Sequence, residues 1–289
     1  MWILLAFASA FFAGVMSILA KIGIRDTDSN LATALRTVVV AFFAWIMVFV
    51  VGSQTTIPDV DIRSIVFLVL SGLATGGSWL CYFKALKLGD VNKVVPIDKS
   101  STVLTMLLSM LFLGEGFTII KLAAMLIIGI GTYFMIERKE IVSDNSNTKR
   151  SYTWIFYAAL AAVFASLTAI LGKVGIEGVE SNLGTAIRTI VVLCMAWGIV
   201  FVQGKHKEIK KIDRKSRLFI GLSGLATGLS WLCFYSALQQ GPVSVVIPID
   251  KLSIVITIAF SYFILREKLK KISIIGLALI VIGTLSLLI

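Results

Sequence analysis

Two acid–base pairs, Asp98–Lys99 and Asp250–Lys251, each follow a Pro-Ile step near the start of an otherwise apolar stretch: VVPIDKSSTVLTMLLSMLFLGE at 94–115 and VIPIDKLSIVITIAFSYFILRE at 246–267. An ionised side chain at the centre of a bilayer costs about 2.5–3.5 kcal/mol on insertion scales, so its retention points to a use. A carboxylate beside an ammonium group can release that cation to a substrate carboxylate or phosphate, or take up a proton itself. Four further cations, Lys21, Arg36, Lys173 and Arg188, also fall within apolar runs.

The whole chain supplies the setting for this chemistry. It has 289 residues, of which 58% are hydrophobic and 15% charged, and a mean hydropathy of +0.96. A soluble domain carries roughly a quarter charged residues. Here the charge is gathered between apolar runs of roughly 20 residues, the length that crosses a bilayer core as a helix. The chain therefore reads as a polytopic, all-α membrane protein. Cys81, Cys194 and Cys233 all lie in apolar runs, and their odd number argues against a disulfide framework. With His206 as the single histidine, neither a zinc site nor a His-based catalytic triad has support. No nucleotide-binding or cofactor motif is present, so no cofactor is expected.

The apolar runs define ten candidate helices, at 2–24, 31–52, 63–86, 92–113, 118–136, 153–175, 182–203, 217–239, 243–265 and 272–289. A polar segment, 137–152, separates residues 1–136 from 153–289, five runs in each. The two parts match without a gap at an offset of 152: SNLATALRTVVV at 29–40 aligns with SNLGTAIRTIVV at 181–192, and Ser71-Gly-Leu-Ala-Thr-Gly with Ser223-Gly-Leu-Ala-Thr-Gly. Glu115 falls on Glu267. The opening segment has an internal copy at 153–175, so it reads as structure and not as a secretory signal. Because five is odd, the second copy must enter the membrane from the opposite side. Inverted repeats of this kind are typical of secondary transporters.

Orientation follows from the basic loops. Of 27 Lys and Arg, 19 lie at one face, and Arg63 and Lys121 at the other. The crowded face reads as cytoplasmic and both termini as external. The excess of +11 is thus mostly an orientation signal, with no nucleic-acid partner implied. The six remaining cations divide into Lys21, Arg36 and Lys99, expected with Asp98 in a layer below the cytoplasmic face, and Lys173, Arg188 and Lys251, expected with Asp250 below the external face. Such layers would bind or gate an anionic or zwitterionic substrate. In the alternative reading, Pro96 starts a helix, Asp98 and Lys99 sit in its first turn near the headgroups, and the cations snorkel to the interface.

Other marked positions are Gly72-x-x-x-Gly76 and Gly224-x-x-x-Gly228, suited to close helix packing. Trp79 and Trp231 lie mid-span, where they either line a cavity and stack on substrate or simply pack. Lys84 breaks the repeat, since its partner is Ser236, while Glu115 and Glu267 read as solvated helix ends.

In this order and twice over, LRTVVV/IRTIVV, CYFKAL/CFYSAL and a proline-started fourth span closing in FLGE/ILRE resemble the EamA type of the drug/metabolite transporter superfamily. The resemblance covers essentially the whole chain. It implies a carrier with a central cavity lined chiefly by helices 1, 3, 4, 6, 8 and 9, with helices 5 and 10 peripheral. Relatives move amino acids, drugs, nucleotide-derived metabolites or sugars, commonly by export or exchange. They are usually described with cytoplasmic termini, the reverse of what the basic loops suggest here, and Pro-Ile-Asp-Lys is more charged than the usual start of the fourth span. The resulting expectation is a non-enzymatic secondary carrier for a small anionic or zwitterionic metabolite such as an amino acid. It would act by alternating access in the cell membrane, as monomer or homodimer, with protons as a possible coupling ion. The alternative is a flippase for a lipid-linked phosphate or sugar headgroup.

Overall fold

The computed structural model describes residues 1–23, 27–88, 91–135, 153–265 and 271–288, without the side chains of 91–93, 96 and 261–265. Arg25, the side chains of Lys93 and Pro96, the central linker, Arg266, Glu267, Lys268 and Lys270 lie outside what is described. The described chain is helical throughout: α1 (Trp2–Gly23), α2 (Ser29–Val51), α3 (Ile62–Leu88), α4 (Val91–Lys99), α5 (Ser101–Phe112), α6 (Ile119–Met135), α7 (Thr153–Gly175), α8 (Ser181–Val202), α9 (Arg214–Gln240), α10 (Val243–Lys251), α11 (Ser253–Leu265) and α12 (Lys271–Leu285). Eight helical stretches among them are long and apolar enough to cross a membrane, and Ile119–Met135 is a shorter apolar helix.

Acids set several of the helix starts. Asp28 accepts from the amides of Asn30 and Leu31 at 3.0 and 3.1 Å, and Glu180, its partner at offset 152, from Asn182 and Leu183, both at 3.0 Å. Asp213 does the same for Lys215 and Ser216 at the head of α9. A carboxylate there satisfies orphan amides and lies at the positive end of the helix dipole. Gly52 and Gly204, another repeat pair, turn the chain at the ends of α2 and α8 with φ of +82° and +69°; only glycine enters that region without cost.

Helices of the two copies interleave. α1 packs along α9 and α7 along α3, each pair antiparallel. Gly23 meets Ile220 while Trp2 meets Gly241, and Gly175 meets Leu68 while Ser78 bonds to the Ala161 carbonyl. α2 and α8 also run antiparallel: Leu31 and Ala34 cluster with Ala196 and Val200, and Ala44 and Val48 with Leu183 and Ala186. α6 and α12 cross so closely that a methyl group on Gly131 would lie 2.7 Å from the Gly276 carbonyl oxygen. The two GxxxG segments are packing surfaces. Gly72 and Gly76 receive Val191 and Met195 of α8, and Gly224 and Gly228 receive Val39 and Phe43 of α2, the same contacts displaced by the repeat. Small residues serve here because lipid supplies no hydrophobic drive between helices, so attraction comes from close van der Waals approach.

The interfacial-anchor reading of the acid–base pairs is corrected by α4 and α10. Helix α4 starts at Val91, ahead of Pro96, and ends on Lys99; α10 starts at Val243, holds Pro248 inside it and ends on Lys251. Each pair therefore occupies the last turn of a nine-residue helix, not the first turn of a long one. Interior proline is tolerated in a membrane helix where neighbouring helices satisfy the freed backbone groups.

The α6–α12 crossing gives a direct test. Gly131→Ala should destabilise the protein by about 1–3 kcal/mol, because the opposing atoms are backbone and cannot rotate away. Gly198→Ala, at a position with open space around it, should leave the melting temperature in detergent unchanged or slightly raised.

Candidate functional site

A cavity of about 1120 Å³ lies between the interleaved halves, and six of the ten singled-out residues line it: Trp79, Lys99, Arg188, Trp231, Asp250 and Lys251. Its wall ascends from Tyr235 and Ile247 to Val95 and Met135. The first pair faces the end of the molecule carrying the α9–α10 turn, and the second the end carrying the α3–α4 turn. Beyond Tyr235 and Ile247 the α9–α10 end is filled by a buried cluster that includes Leu238, Val243, Val245 and Val246, packed with Trp2, Leu5, Leu108 and Leu113.

The two acid–base pairs meet in this one cavity, which corrects the expectation of two separate charged layers. Lys99 and Lys251 both project into it, near enough to act on each other electrostatically. The physical reason is where the helices end: α4 and α10 stop on the lysines, and both lysines line the cavity. Within each pair the contact is loose, 3.9 Å for Lys99–Asp98 and 3.8 Å for Lys251–Asp250, well beyond the roughly 2.7–2.9 Å of a charge-assisted hydrogen bond. The ammonium groups are held close but remain able to take another partner. Asp250 also accepts from Ser9 Oγ at 2.7 Å. At the repeat-equivalent position beside Asp98, Ala161 stands where Ser9 would be and offers no hydroxyl.

Arg188 is the most enclosed charge among the described residues, 3% exposed. Its Nε donates to Ser71 Oγ at 3.0 Å and Nη2 to Thr75 Oγ1 at 2.5 Å. The guanidinium plane is flanked by Trp231 at 5.1 Å and Tyr235 at 5.0 Å, both within cation–π range. Nη1 is buried with no hydrogen-bond partner in the structure. All four partners are neutral. With Lys99 beside Asp98 and Lys251 beside Asp250, Arg188 leaves the site with one positive charge that no carboxylate among the described residues balances.

The repeat equivalent of this network is differently engaged. Arg36 donates to Met16 Sδ at 3.3 Å and lies outside the cavity lining. Ser223, the counterpart of Ser71, donates to the Ile220 carbonyl of its own helix at 2.7 Å, where Ser71 donates to the Thr168 carbonyl of α7 at 2.7 Å. Thr227 and Thr75 each donate to the carbonyl four residues back, and Thr75 in addition accepts from Arg188. Lys173 also lies outside the lining; its ammonium donates to the carbonyls of Leu238, Gln239 and Gly241 and so caps the end of α9. Lys21 occupies the last turn of α1, outside the lining. Asp98 adjoins the cavity through Lys99. Lys84 is exposed and takes no part.

Ser9, Ser71, Thr75 and Tyr235 escaped the sequence reading, and Glu115 is not the solvated helix end it reads as but a hydrogen-bond acceptor for Val243 and Ser244. For Ser9 and Tyr235 a signal existed, since they break the repeat against Ala161 and Phe83. The helices expected to be peripheral also contribute, through Ile128, Thr132 and Met135 of α6 and Ile280 of α12, and α8 contributes Arg188.

Comparison with known proteins gives a consistent picture. The family model described as the EamA-like transporter family matches residues 1–137 and 152–289. An uncharacterized transporter in the cobO 3′ region of Sinorhizobium sp is 44% identical over 137 residues, covering 47% of this chain and 97% of that protein. An uncharacterized protein of Methanocaldococcus jannaschii, MJ1333.1, is 29% identical over 136 residues, covering 47% of this chain and 96% of its own. Both relatives thus have about the length of one half of the present chain. A protein solved by crystallography shares the fold at a TM-score of 0.76, with 17% identity, 99% coverage of this chain and 96% of that one.

The different holds on the two arginines predict different sensitivities. Arg188→Lys removes the fork that spans Ser71 and Thr75 and should cost about 1.5–3 kcal/mol. Arg36→Lys should cost less than half of that. Denaturation in detergent micelles, run on both variants, checks the order.

Proposed function

Taking as premise that the chain belongs to the EamA-like transporter family, we propose that it is a secondary carrier for a small anionic or zwitterionic metabolite, working by alternating access between two inverted five-span repeats. The family and the transporter-named relative point to a non-enzymatic, multi-pass membrane role. The inverted arrangement is supported by the antiparallel packing of repeat equivalents, α2 on α8 and α6 on α12. It is also supported by relatives half as long, as expected if one repeat can be a unit by itself.

One observation carries the mechanism. Identical Ser/Thr pairs on repeat-equivalent helices are engaged differently: Ser71 donates across to α7 and, with Thr75, accepts from Arg188, while Ser223 donates to its own helix and Arg36 donates to Met16. Two copies of one structure in two states are what alternating access requires, since exchanging the states moves the opening from one side to the other. In the present state the α9–α10 end is sealed by its apolar cluster, and the cavity extends toward the α3–α4 end. On the distribution of basic loops that end is cytoplasmic, the termini are external and the state is inward-facing.

The charge pattern selects the substrate class. The unbalanced Arg188 favours a ligand with a net or local negative charge, and Lys99 and Lys251, loosely paired, are the groups free to approach it. Trp79 and Trp231 offer flat apolar walls for the remainder of the ligand. A substrate carboxylate would displace Asp98 or Asp250 from its lysine, and the released carboxylate could then accept a proton, coupling transport to a proton gradient. Nothing in the cavity or the family match favours a flippase for a lipid-linked headgroup.

A thermal-stabilisation screen of the purified protein against amino acids, other organic acids, sugars and nucleotides should give its largest shifts with carboxylate-bearing compounds. Lys99→Gln and Lys251→Gln should each weaken the best compound at least tenfold, equal to about 1.4 kcal/mol, and slow its counterflow in proteoliposomes. Stabilisation by neutral sugars alone, unaffected by either substitution, would contradict the anionic assignment.

A further inference from the structure

The carboxylate of Glu115 lies outside the cavity lining and is half-buried, not the solvated helix end that its place in the sequence suggests. It follows α5 in the first repeat, yet its two oxygens accept the backbone amides of Val243 at 2.5 Å and Ser244 at 2.9 Å, the first two residues of α10 in the second repeat. Ser109 Oγ, within its own repeat, donates to Oε2 at 3.2 Å and holds the carboxylate in place. This is a bidentate, charge-assisted cap on orphan amides at the positive end of a helix.

The location gives the contact a larger meaning. The α9–α10 turn, Gly241-Pro242, is pinned from both sides: Lys173 caps the last carbonyls of α9 and Glu115 the first amides of α10. Gln239 Nε2 adds bonds to the carbonyls of Ile176 and Val179. Lys173 and Gln239 belong to the same repeat as the turn, so they move with it. Glu115 does not. Glu115 is also near enough to Lys173 to attract it across the repeats; the apolar contacts that cross at this turn among the described residues come from Trp2, Leu5, Leu108 and Leu113. Apolar surfaces slide over one another at low cost, whereas two directed hydrogen bonds to a charged group must break together.

α10 is itself a stiff connection. Its residues Val243 to Ile249 are all buried, and at a rise of about 1.5 Å per residue the helix spans roughly 13 Å. One end sits on Glu115 and the other presents Asp250 and Lys251 to the cavity.

We propose that Glu115 is the latch of the α9–α10 mouth: its hold on Val243 and Ser244 keeps that end shut in the present state, and its release is the step that lets α10 swing from α5 and expose the cavity on that side. The latch rests on the alternating-access reading given above, but its test needs no transported substrate. In a background of Cys81→Ser, Cys194→Ala and Cys233→Ser, a reporter Ala169→Cys is placed in the cavity wall. A membrane-impermeant maleimide is then applied from the face bearing the α9–α10 turn. With Glu115 intact labelling is slow. Glu115→Ala and Glu115→Gln, the latter equal in shape but uncharged, should each raise the rate at least fivefold.

Labelling within twofold of the parent in both variants overturns the latch, even if their melting temperatures fall, because a cap that only stabilises α10 would give that result. Should Glu115→Ala fail to yield monodisperse protein, the Glu115→Gln rate decides alone. Failure of the carrier reading would show elsewhere, as absent counterflow of every compound in the parent protein, and would leave the labelling outcome legible.

Discussion

A guanidinium group cannot shed its charge under any condition a protein meets, and Arg188 is almost wholly enclosed. The surrounding fold must therefore provide in full what water would have provided. It does so with two hydroxyls from α3 and two aromatic faces from α9. Those partners can reach one arginine on α8 only if three helices from both repeats converge closely. The glycines that let α8 approach α3, Gly72 and Gly76, lie next to Ser71 and Thr75 on the same helix. Packing and charge solvation are thus a single requirement on the sequence SGLATG.

The same requirement is written twice, at 71–76 and 223–228, but is met once. On the second copy the hydroxyls satisfy themselves on their own backbone, and Arg36 is left with a thioether. Such local bonds are always open to Ser and Thr in a helix, so these residues can release the arginine without leaving a buried hydroxyl unsatisfied. Between the copies only the serine changes its donor bond; Thr75 and Thr227 both donate to the carbonyl four residues back, and accepting from the arginine is the contact added on the first copy. The copies differ chemically at Ser9 against Ala161 and Tyr235 against Phe83, so the two ends are not equivalent.

Much of this was legible in the sequence, and what was missed has a common cause. The helical spans, the duplication and the identity of the in-membrane charges follow from composition and register alone, since burial in lipid leaves few alternatives. The position of Asp98–Lys99 and Asp250–Lys251 did not follow. Reading proline as a helix start placed them at the interface, and counting turns along each span placed them in separate layers, whereas helices that begin ahead of the proline and end on the lysine bring Lys99, Asp250 and Lys251 to one cavity. Glu115 read as a solvated end because its partners, Val243 and Ser244, lie more than a hundred residues away in sequence and present only backbone, which no side-chain pattern announces. Ser9 and Tyr235 stood out only as exceptions to the repeat, a signal that becomes meaningful once the symmetric contacts are known.

The central claim is that the two ends exchange states. Spin labels at Leu88 and Leu218 measure the separation of α3 and α9 at the α3–α4 end, and labels at the repeat-equivalent Val66 and Gln240 measure it at the α9–α10 end. Pulsed electron resonance on the two pairs should give two distances at each end, with the long distance at one end gaining population as it loses it at the other when a stabilising ligand is added. A single unchanging distance for both pairs, with and without ligand, would contradict the account.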